Sequence, residues 1–442
     1  MRISLQHNSS YLIMLVAAVA FVGCGSGLSE APALDSAWAT DVGTDSAAND
    51  SQGQLDSRGT DGPGVDVATE DSQPQPESGT PDLATDLTPD LAPSDAPLTG
   101  CVRSMVSTPE TIDSQGDVGE NTSLQIDPAG KTHISYYDNT NSNLKVATNA
   151  SGSWSTETVH AQGAVGRHSS LGIDPGGKLH VSYWDETLRK LRYATNATGA
   201  WSTEILDTTS IHGMHSSLKV GAAGKVYIAY TDKELKLLKF ASNASGSWEI
   251  ETVDATAKVE SSVSLQLDNV GKAHLAYTDS AIWVDELIYA TNKGGSWEKE
   301  TVYAQDYVRA WSSLAIDAAG MRHISFLSAS NANAKPVLRY ATPHALGGWL
   351  SEPVTATITA EAYDTHIVVD PSGFVHILYY KYVGSMRYVS NASGSWTSQV
   401  LSSAGTVGLD DTSMVMDTTG DIHVAYYDKT NEDLKVIVLS CP

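Results

Sequence analysis

The chain runs to 442 residues with 52 acidic against 27 basic side chains, a formal net charge of −25 at pH 7. Such a balance argues against a nucleic-acid binder, because no basic stripe is available to neutralise phosphates. Only three cysteines are present, too few for a disulfide-dense scaffold, and after the first 24 residues no stretch is apolar enough to cross a membrane as a helix.

Taken in chain order, residues 1–23 read as a signal peptide. Arg2 supplies the positive end, Tyr11 to Val22 is an apolar run short for a bilayer, and Phe21-Val22-Gly23-Cys24 follows. That tetrapeptide resembles a bacterial lipobox, which implies lipidation of Cys24, export and attachment to a membrane. Gly25 is not the aspartate that retains some lipoproteins at the inner membrane, so an outer-membrane anchor is expected. Residues 24–100 form a tether. From Gly25 to Gly100 there are fifteen Asp or Glu against Arg58 alone, with eight prolines, a composition that cannot bury enough surface to fold. Self-repulsion and proline keep such a segment extended.

From about Leu124 onward one pattern recurs. An Asp-x-x-Gly turn opens at Asp127, Asp174, Asp268, Asp317, Asp370 and Asp417, with Gly221 at the third place, giving a period of 47 residues stretched to 49 and 53. Each repeat reads as four short strands. In the first they are Ser123–Ile126, His133–Tyr137, Leu144–Ala147 and Trp154–Val159, with turns at Asp127-Pro128-Ala129-Gly130 and Asn149-Ala150-Ser151-Gly152. Repeats of this length, built from strands rich in β-branched and aromatic residues, are blades of a β-propeller.

The last repeat stops after its third strand, Leu434–Val438, and Ser107–Asp113 aligns with the fourth strand of the first repeat. Six complete repeats and one split repeat therefore predict an all-β, seven-bladed propeller over residues 101–442, closed by an N-terminal strand that removes the open edges. Cys101 and Cys441 flank that closure where other blades have their Asn-x-x-Gly turn, so a disulfide between them is expected.

Function is sought where the repeats differ. The first and third connections of each repeat are short and nearly constant, whereas the second and fourth vary and share one face. Six residues before each turn position that face holds Asn121, His168, His215, Ser262, Trp311, Asp364 and Asp411, with Glu120, Arg167 and Asp410 among the residues one place earlier. All of these but Ser262 are the candidate ligand-binding residues of the channel mouth. Two outcomes stay open: a polar-ligand or divalent-cation site built from carboxylates and imidazoles, or a solvated polar rim. No metal-ligand spacing, cofactor motif or catalytic signature is found, so no catalytic residue is assigned and the metal content is left open. The recurrent His133, His180, His274, His323, His376 and His423 are assigned to structure, because chemistry needed once does not require six copies. Trp154, Trp201, Trp248, Trp297, Trp349 and Trp396 are assigned to outer-strand packing.

The stretch Asn391-Ala392-Ser393-Gly394-Ser395-Trp396 is similar to the Asp-box turn of sialidase-like propellers, with Asn in place of Asp and the Gly one step nearer the Trp. The whole repeat resembles those of bacterial surface propellers. This resemblance implies the fold over residues 105–440. A sialidase-type site would need three arginines at the channel mouth, and only Arg167 and Arg309 lie in connections that reach it. The expectation is a lipid-anchored, monomeric binding module for surface carbohydrate or a protein partner. The alternative is a glycan-active hydrolase or lyase centred on His168, His215, Asp364 and Asp411.

Overall fold

A computed structural model describes residues 100–441 apart from 107, 210–211, 260–262, 281–284, 332, 355–361, 382–384 and 403–406, without the side chains of 212, 213, 362 and 408–411. The signal peptide, Cys24 and the tether up to residue 99 lie outside the described residues, as does Ser107.

Seven antiparallel sheets are arranged as the blades of a β-propeller, six of them four-stranded in simple chain order. The first strands are Val118–Ile126, Val165–Ile173, His212–Val220, Val263–Leu267, Tyr307–Ile316, Ala362–Val369 and Val407–Met416. Each contacts the first strands of both neighbouring blades, so together they surround the central axis. The second strands are the most buried elements. Thr132–Asp138 and Leu179–Asp185 are buried at every residue, which explains why their sequences are apolar or aromatic on both faces. The apolar core is divided among the blade interfaces: one cluster fills each of the seven gaps. Hydrophobic burial therefore holds blade to blade as much as it holds each sheet together.

Polar contacts lock the same interfaces. At the outer edge the indole Nε1 of Trp201, Trp248, Trp297, Trp349 and Trp396 donates to Glu157, Glu204, Glu251, Glu300 and Glu352 of the preceding blade, at 2.8 to 3.0 Å. Four of these rings also lie on an aromatic of the preceding blade's third strand, Trp248 on Tyr193 at 5.1 Å for example. In the middle of the blades, Asp207 of blade two accepts from Tyr230 (2.8 Å) and Lys239 (3.1 Å) of blade three. Burial opposes charge on Asp207, but the Thr209 N–H and hydroxyl, Tyr230 and Lys239 outweigh it and hold the carboxyl far below the usual carboxylate range.

The repeated histidines act within a blade rather than between neighbouring sheets. His133, His180, His274, His323, His376 and His423 each place Nε2 3.0 to 3.7 Å from the aspartate of their own first turn. In four blades Nδ1 meets a third-strand tyrosine hydroxyl, as in His180–Tyr193 at 2.5 Å. Blade three lacks the whole set: Gly221, Tyr227 and Phe240 occupy those places, and the two rings pack on each other at 6.1 Å.

The ring closes as the repeats predict. Glu110–Asp113 pairs with Asp433–Ser440 in the register of Glu157–His160 on Asn143–Thr148, Glu110 facing Val436 as Glu157 faces Val146. Cys101 and Cys441 form a disulfide across 340 residues of sequence. Two further contacts were not legible in the repeats. Ser104–Met105 adds a second short pairing to Asp433–Ser440. Arg103, 4% exposed, reaches into blade six, where its guanidinium lies 2.8 Å from His376 Nε2 and 3.4 Å from Asp370, while its Nε donates to the carbonyl of Gly420 in the first turn of blade seven at 2.6 Å.

Because the disulfide and Arg103 sit on the closing segment, Cys441→Ser is expected to lower unfolding stability by about 2 to 5 kcal/mol while leaving the strand content intact. Denaturant melts read by far-UV circular dichroism check this; an unchanged midpoint would show that pairing of Glu110–Asp113 alone closes the ring.

Candidate functional site

The candidate mouth residues sit within the first strands rather than in the connections ahead of them. Sequence patterning suggested a four-residue first strand beginning at Ser123, whereas the strand begins at Val118 and carries a β-bulge between Glu120 and Ser123. Equivalent register shifts occur at Arg167/Ser170, Met214/Ser217, Val308/Ser312, Tyr363/Thr365 and Val407/Thr412. A bulge inserts an extra residue and re-aims its side chain. Alternating hydrophobicity fails at that residue, which is why the strand looked shorter in sequence.

The extra residue is the candidate itself. Asn121, His168, His215, Trp311 and Asp364 all have left-handed backbone, with φ of 53°, 52°, 57°, 72° and 45°. This conformation is cheap for glycine and costs an L-residue on the order of 1 kcal/mol or more, most for a bulky side chain such as tryptophan. In blade two Gly166, two residues before the bulged His168, has φ 116°, and a Cβ there would lie 2.7 Å from Leu144 Cα. Glycine is forced at that position, while the bulged position keeps a side chain.

All five bulged residues line one cavity of roughly 160 Å³ at the mouth of the channel, together with His366 and Thr412. The rings of His168 and His215 lie 4.2 Å apart, tilted by 51°. The His168 backbone N–H donates to Asn121 Oδ1 at 3.0 Å, and Trp311 meets Tyr363 edge-on at 6.1 Å. Asp364 is buried, accepts from the Thr412 hydroxyl at 2.7 Å and lies 3.4 Å from His366 Nε2. Burial works against its charge, but His366, Thr412 and the Thr365 N–H outweigh it and keep the carboxyl below its usual range.

Two expected members stand beside the cavity rather than in it. Arg167 donates to Glu120 at 2.9 Å and to Asn139 at 3.1 Å, lies 3.5 Å from Glu186 and stacks 4.3 Å over the Tyr137 ring. Desolvation raises the Glu120 pKa, tempered by Arg167. The pair neutralises itself and frames the mouth. Asp410 and Asp411 belong to Val407–Met416, but their side chains lie outside the described residues. Among the described residues no three His, Cys, Asp or Glu side chains come together in a way that could hold a metal ion.

Below the mouth a ring of serines organises the channel. Ser123, Ser170, Ser217, Ser264 and Ser313 each accept from the backbone N–H of the residue just after the same register in the next blade, Leu171, Leu218, Leu265, Leu314 and Ile367, and Ser413 accepts from Leu124, at 2.9 to 3.2 Å. Blade six alone has a different residue at this register, His366. The exception was readable from the aligned repeats, and only its proximity to Asp364 required the fold.

His168 and His215 are both expected to be neutral at pH 7. Burial depresses each, the neighbouring imidazole and Arg167 add to the effect on His168, and Lys233 adds to that on His215, whose pKa falls to about 4. A histidine depressed on folding favours the unfolded chain as it protonates, so stability is complete above the ordinary value of 6.5 and declines as pH falls toward about 4. NMR titration of the His215 imidazole should show a midpoint near 4, and His215→Gln should flatten the fall in melting temperature over that interval. A midpoint near 6.5 would contradict the desolvated pair.

Comparison with known proteins supports the architecture. No protein-family model matches the sequence, and a search of curated proteins finds no match. Solved structures do align over the propeller. Hydrazine synthase of Kuenenia stuttgartiensis aligns at TM-score 0.53 and 9% identity, over 74% of this chain and 97% of that one. The polysaccharide lyase Uly1 aligns at TM-score 0.51 and 10% identity, over 75% and 91%. A Hadza microbial sialidase, Hz136, aligns at TM-score 0.41 and 12% identity, over 75% and 68%, too distant to bear on function. At these identities the likeness establishes the seven-bladed β-propeller fold and nothing about chemistry.

Proposed function

We propose that this chain is a lipid-anchored binding module that takes a carbohydrate at the mouth of its central channel. One observation carries this reading. Five bulged positions in the first strands hold Asn, two His, Trp and Asp in strained left-handed backbone, all facing one cavity, where glycine would cost least. The surrounding serine ring, turns and tryptophan contacts repeat from blade to blade, whereas these five residues do not. Their chemistry suits a polyhydroxylated ligand: an indole for the apolar face of a sugar ring, a carboxylate and a primary amide to accept and donate to vicinal hydroxyls, and neutral imidazoles able to do either. Neutral histidines also make the site independent of pH across the physiological range.

A second reading rests on blade six. His366 interrupts the serine ring and places an imidazole 3.4 Å from a buried carboxylate inside the mouth, the arrangement of an oriented general base. A glycan-active hydrolase or lyase would use that pair while the rest of the mouth positions the sugar.

On a glycan array, the full chain purified in detergent is expected to bind a restricted set of glycans. Trp311→Ala and Asn121→Ala should each weaken that binding about tenfold, the loss of one stacking or hydrogen-bonding contact. Unchanged binding in both variants would move the site elsewhere. Product release from a bound glycan, abolished by His366→Ala with binding retained, would favour the second reading. The anchor is tested separately. Labelled palmitate should be incorporated into the exported chain and not into Cys24→Ala, and labelling of that variant would exclude Cys24 as the lipid site.

A further inference from the structure

The channel beneath the mouth has a volume of roughly 460 Å³ and is lined chiefly by hydroxyls, amides and aliphatic side chains. Asp364, His366 and Trp311 reach its upper end, and Lys219, in the first strand of blade three, is the one lysine or arginine among the described lining residues. At its register the other blades have Gln125, Gly172, Gln266, Ala315, Val368 and Val415. Gln266 shows what a polar residue does there: its amide donates to the Leu314 carbonyl of the next blade at 2.9 Å. Lys219 lines the same channel, yet no hydrogen bond or ion pair to its ammonium is found among the described residues. Other lysines of the blades behave differently: Lys145, Lys239, Lys299 and Lys435 each meet a carboxylate at 2.5 to 3.1 Å.

The surroundings of Lys219 are asymmetric in the same sense. Two residues further on, where six blades carry the turn aspartate, blade three has Gly221, and its partner histidine is replaced by Tyr227. The turn carboxylate that the other six blades carry two residues further on is therefore missing after Lys219. Toward the mouth the same blade places His215 and Lys233 around a side cavity of roughly 370 Å³. Lys233 donates only to Met214 Sδ, at 3.5 Å, among the described residues. In a chain of net charge −25, blade three thus places Lys233 beside the mouth and Lys219 in the channel, neither with an ion-pair partner among the described residues. Burial without an opposite charge also lowers the Lys219 pKa, a penalty that an anion in the channel would relieve.

We propose that Lys219 forms an anion subsite inside the channel, which receives the carboxylate or sulfate of an acidic saccharide whose sugar ring is held at the mouth. This rests on the carbohydrate-binding reading and specifies the ligand class. The ammonium supplies a charge-assisted hydrogen bond in a confined, partly desolvated space, and Lys233 and the neutral imidazoles border the entry. A neutral sugar would leave the Lys219 charge uncompensated and bind less tightly.

The test uses the full chain in detergent and the variant Lys219→Gln, which installs the residue that blades one and four already carry and so is compatible with the fold. By isothermal titration the wild type should bind glucuronate at least tenfold more tightly than glucose, and Lys219→Gln should lose that preference with glucose affinity unchanged. Equal affinities for the two sugars in the wild type, or a preference that survives in Lys219→Gln, would overturn the proposal. Should neither sugar bind, the carbohydrate reading fails, and the subsite is then judged by inorganic sulfate alone. Reductive methylation with carbon-13 gives Lys219 an NMR signal, assigned by its absence in Lys219→Gln. Its pKa should rise on addition of sulfate, and an unmoved pKa up to high sulfate would overturn the subsite.

Discussion

Everything in this molecule depends on how the first strands meet around the axis. They approach closely enough that a serine hydroxyl in one reaches a backbone N–H of the next, and this contact is made at six of the seven junctions. A larger side chain at that register would push neighbouring blades apart, and an apolar one would leave a buried N–H without a partner. The small hydroxyl satisfies both demands. Once the inner strands are fixed at this spacing, the second strands are covered on both faces and the outer tryptophans fall within reach of the preceding blade's glutamates.

That constraint also creates the site. A strand held in register below by serine contacts must accommodate the incoming loop above, and the bulge at Asn121, His168, His215, Trp311 and Asp364 does so by placing one residue in left-handed backbone. The same local distortion, repeated around a ring, brings residues about fifty positions apart in sequence into one cavity. The framework is uniform, and specificity comes from side chains at a register where the backbone is already strained.

Departures from the repeat are concentrated in two blades. Blade six replaces the serine with His366 and pairs it with Asp364. Blade three loses the turn aspartate and its histidine, keeps the packing through Tyr227 and Phe240, and gains Lys219 in the channel. The loss in blade three is tolerated because an Asp–His pair bonds within its own hairpin, the blade-six pair alone also meeting Arg103, so the remaining pairs are unaffected. A ring of near-identical blades can therefore alter one or two members without unfolding.

The sequence by itself determined the fold. Seven copies of a strand-turn-strand pattern admit few architectures, and the alignment of Ser107–Asp113 with a missing fourth strand, flanked by Cys101 and Cys441, fixed the closure, because periodicity and turn chemistry are local properties. The sequence also marked Asn121, His168, His215, Trp311 and Asp364 as the variable register of the mouth. It did not show that Glu120 and Arg167 neutralise each other, that His366 stands beside Asp364, that Arg103 reaches into blade six, or that Lys219 lines the channel with no ion-pair partner among the described residues. Those facts depend on which side chains of different blades come within a few ångströms of one another. Only ring closure and the β-bulge decide that, since the bulge reverses the inward and outward order that strand alternation would otherwise assign.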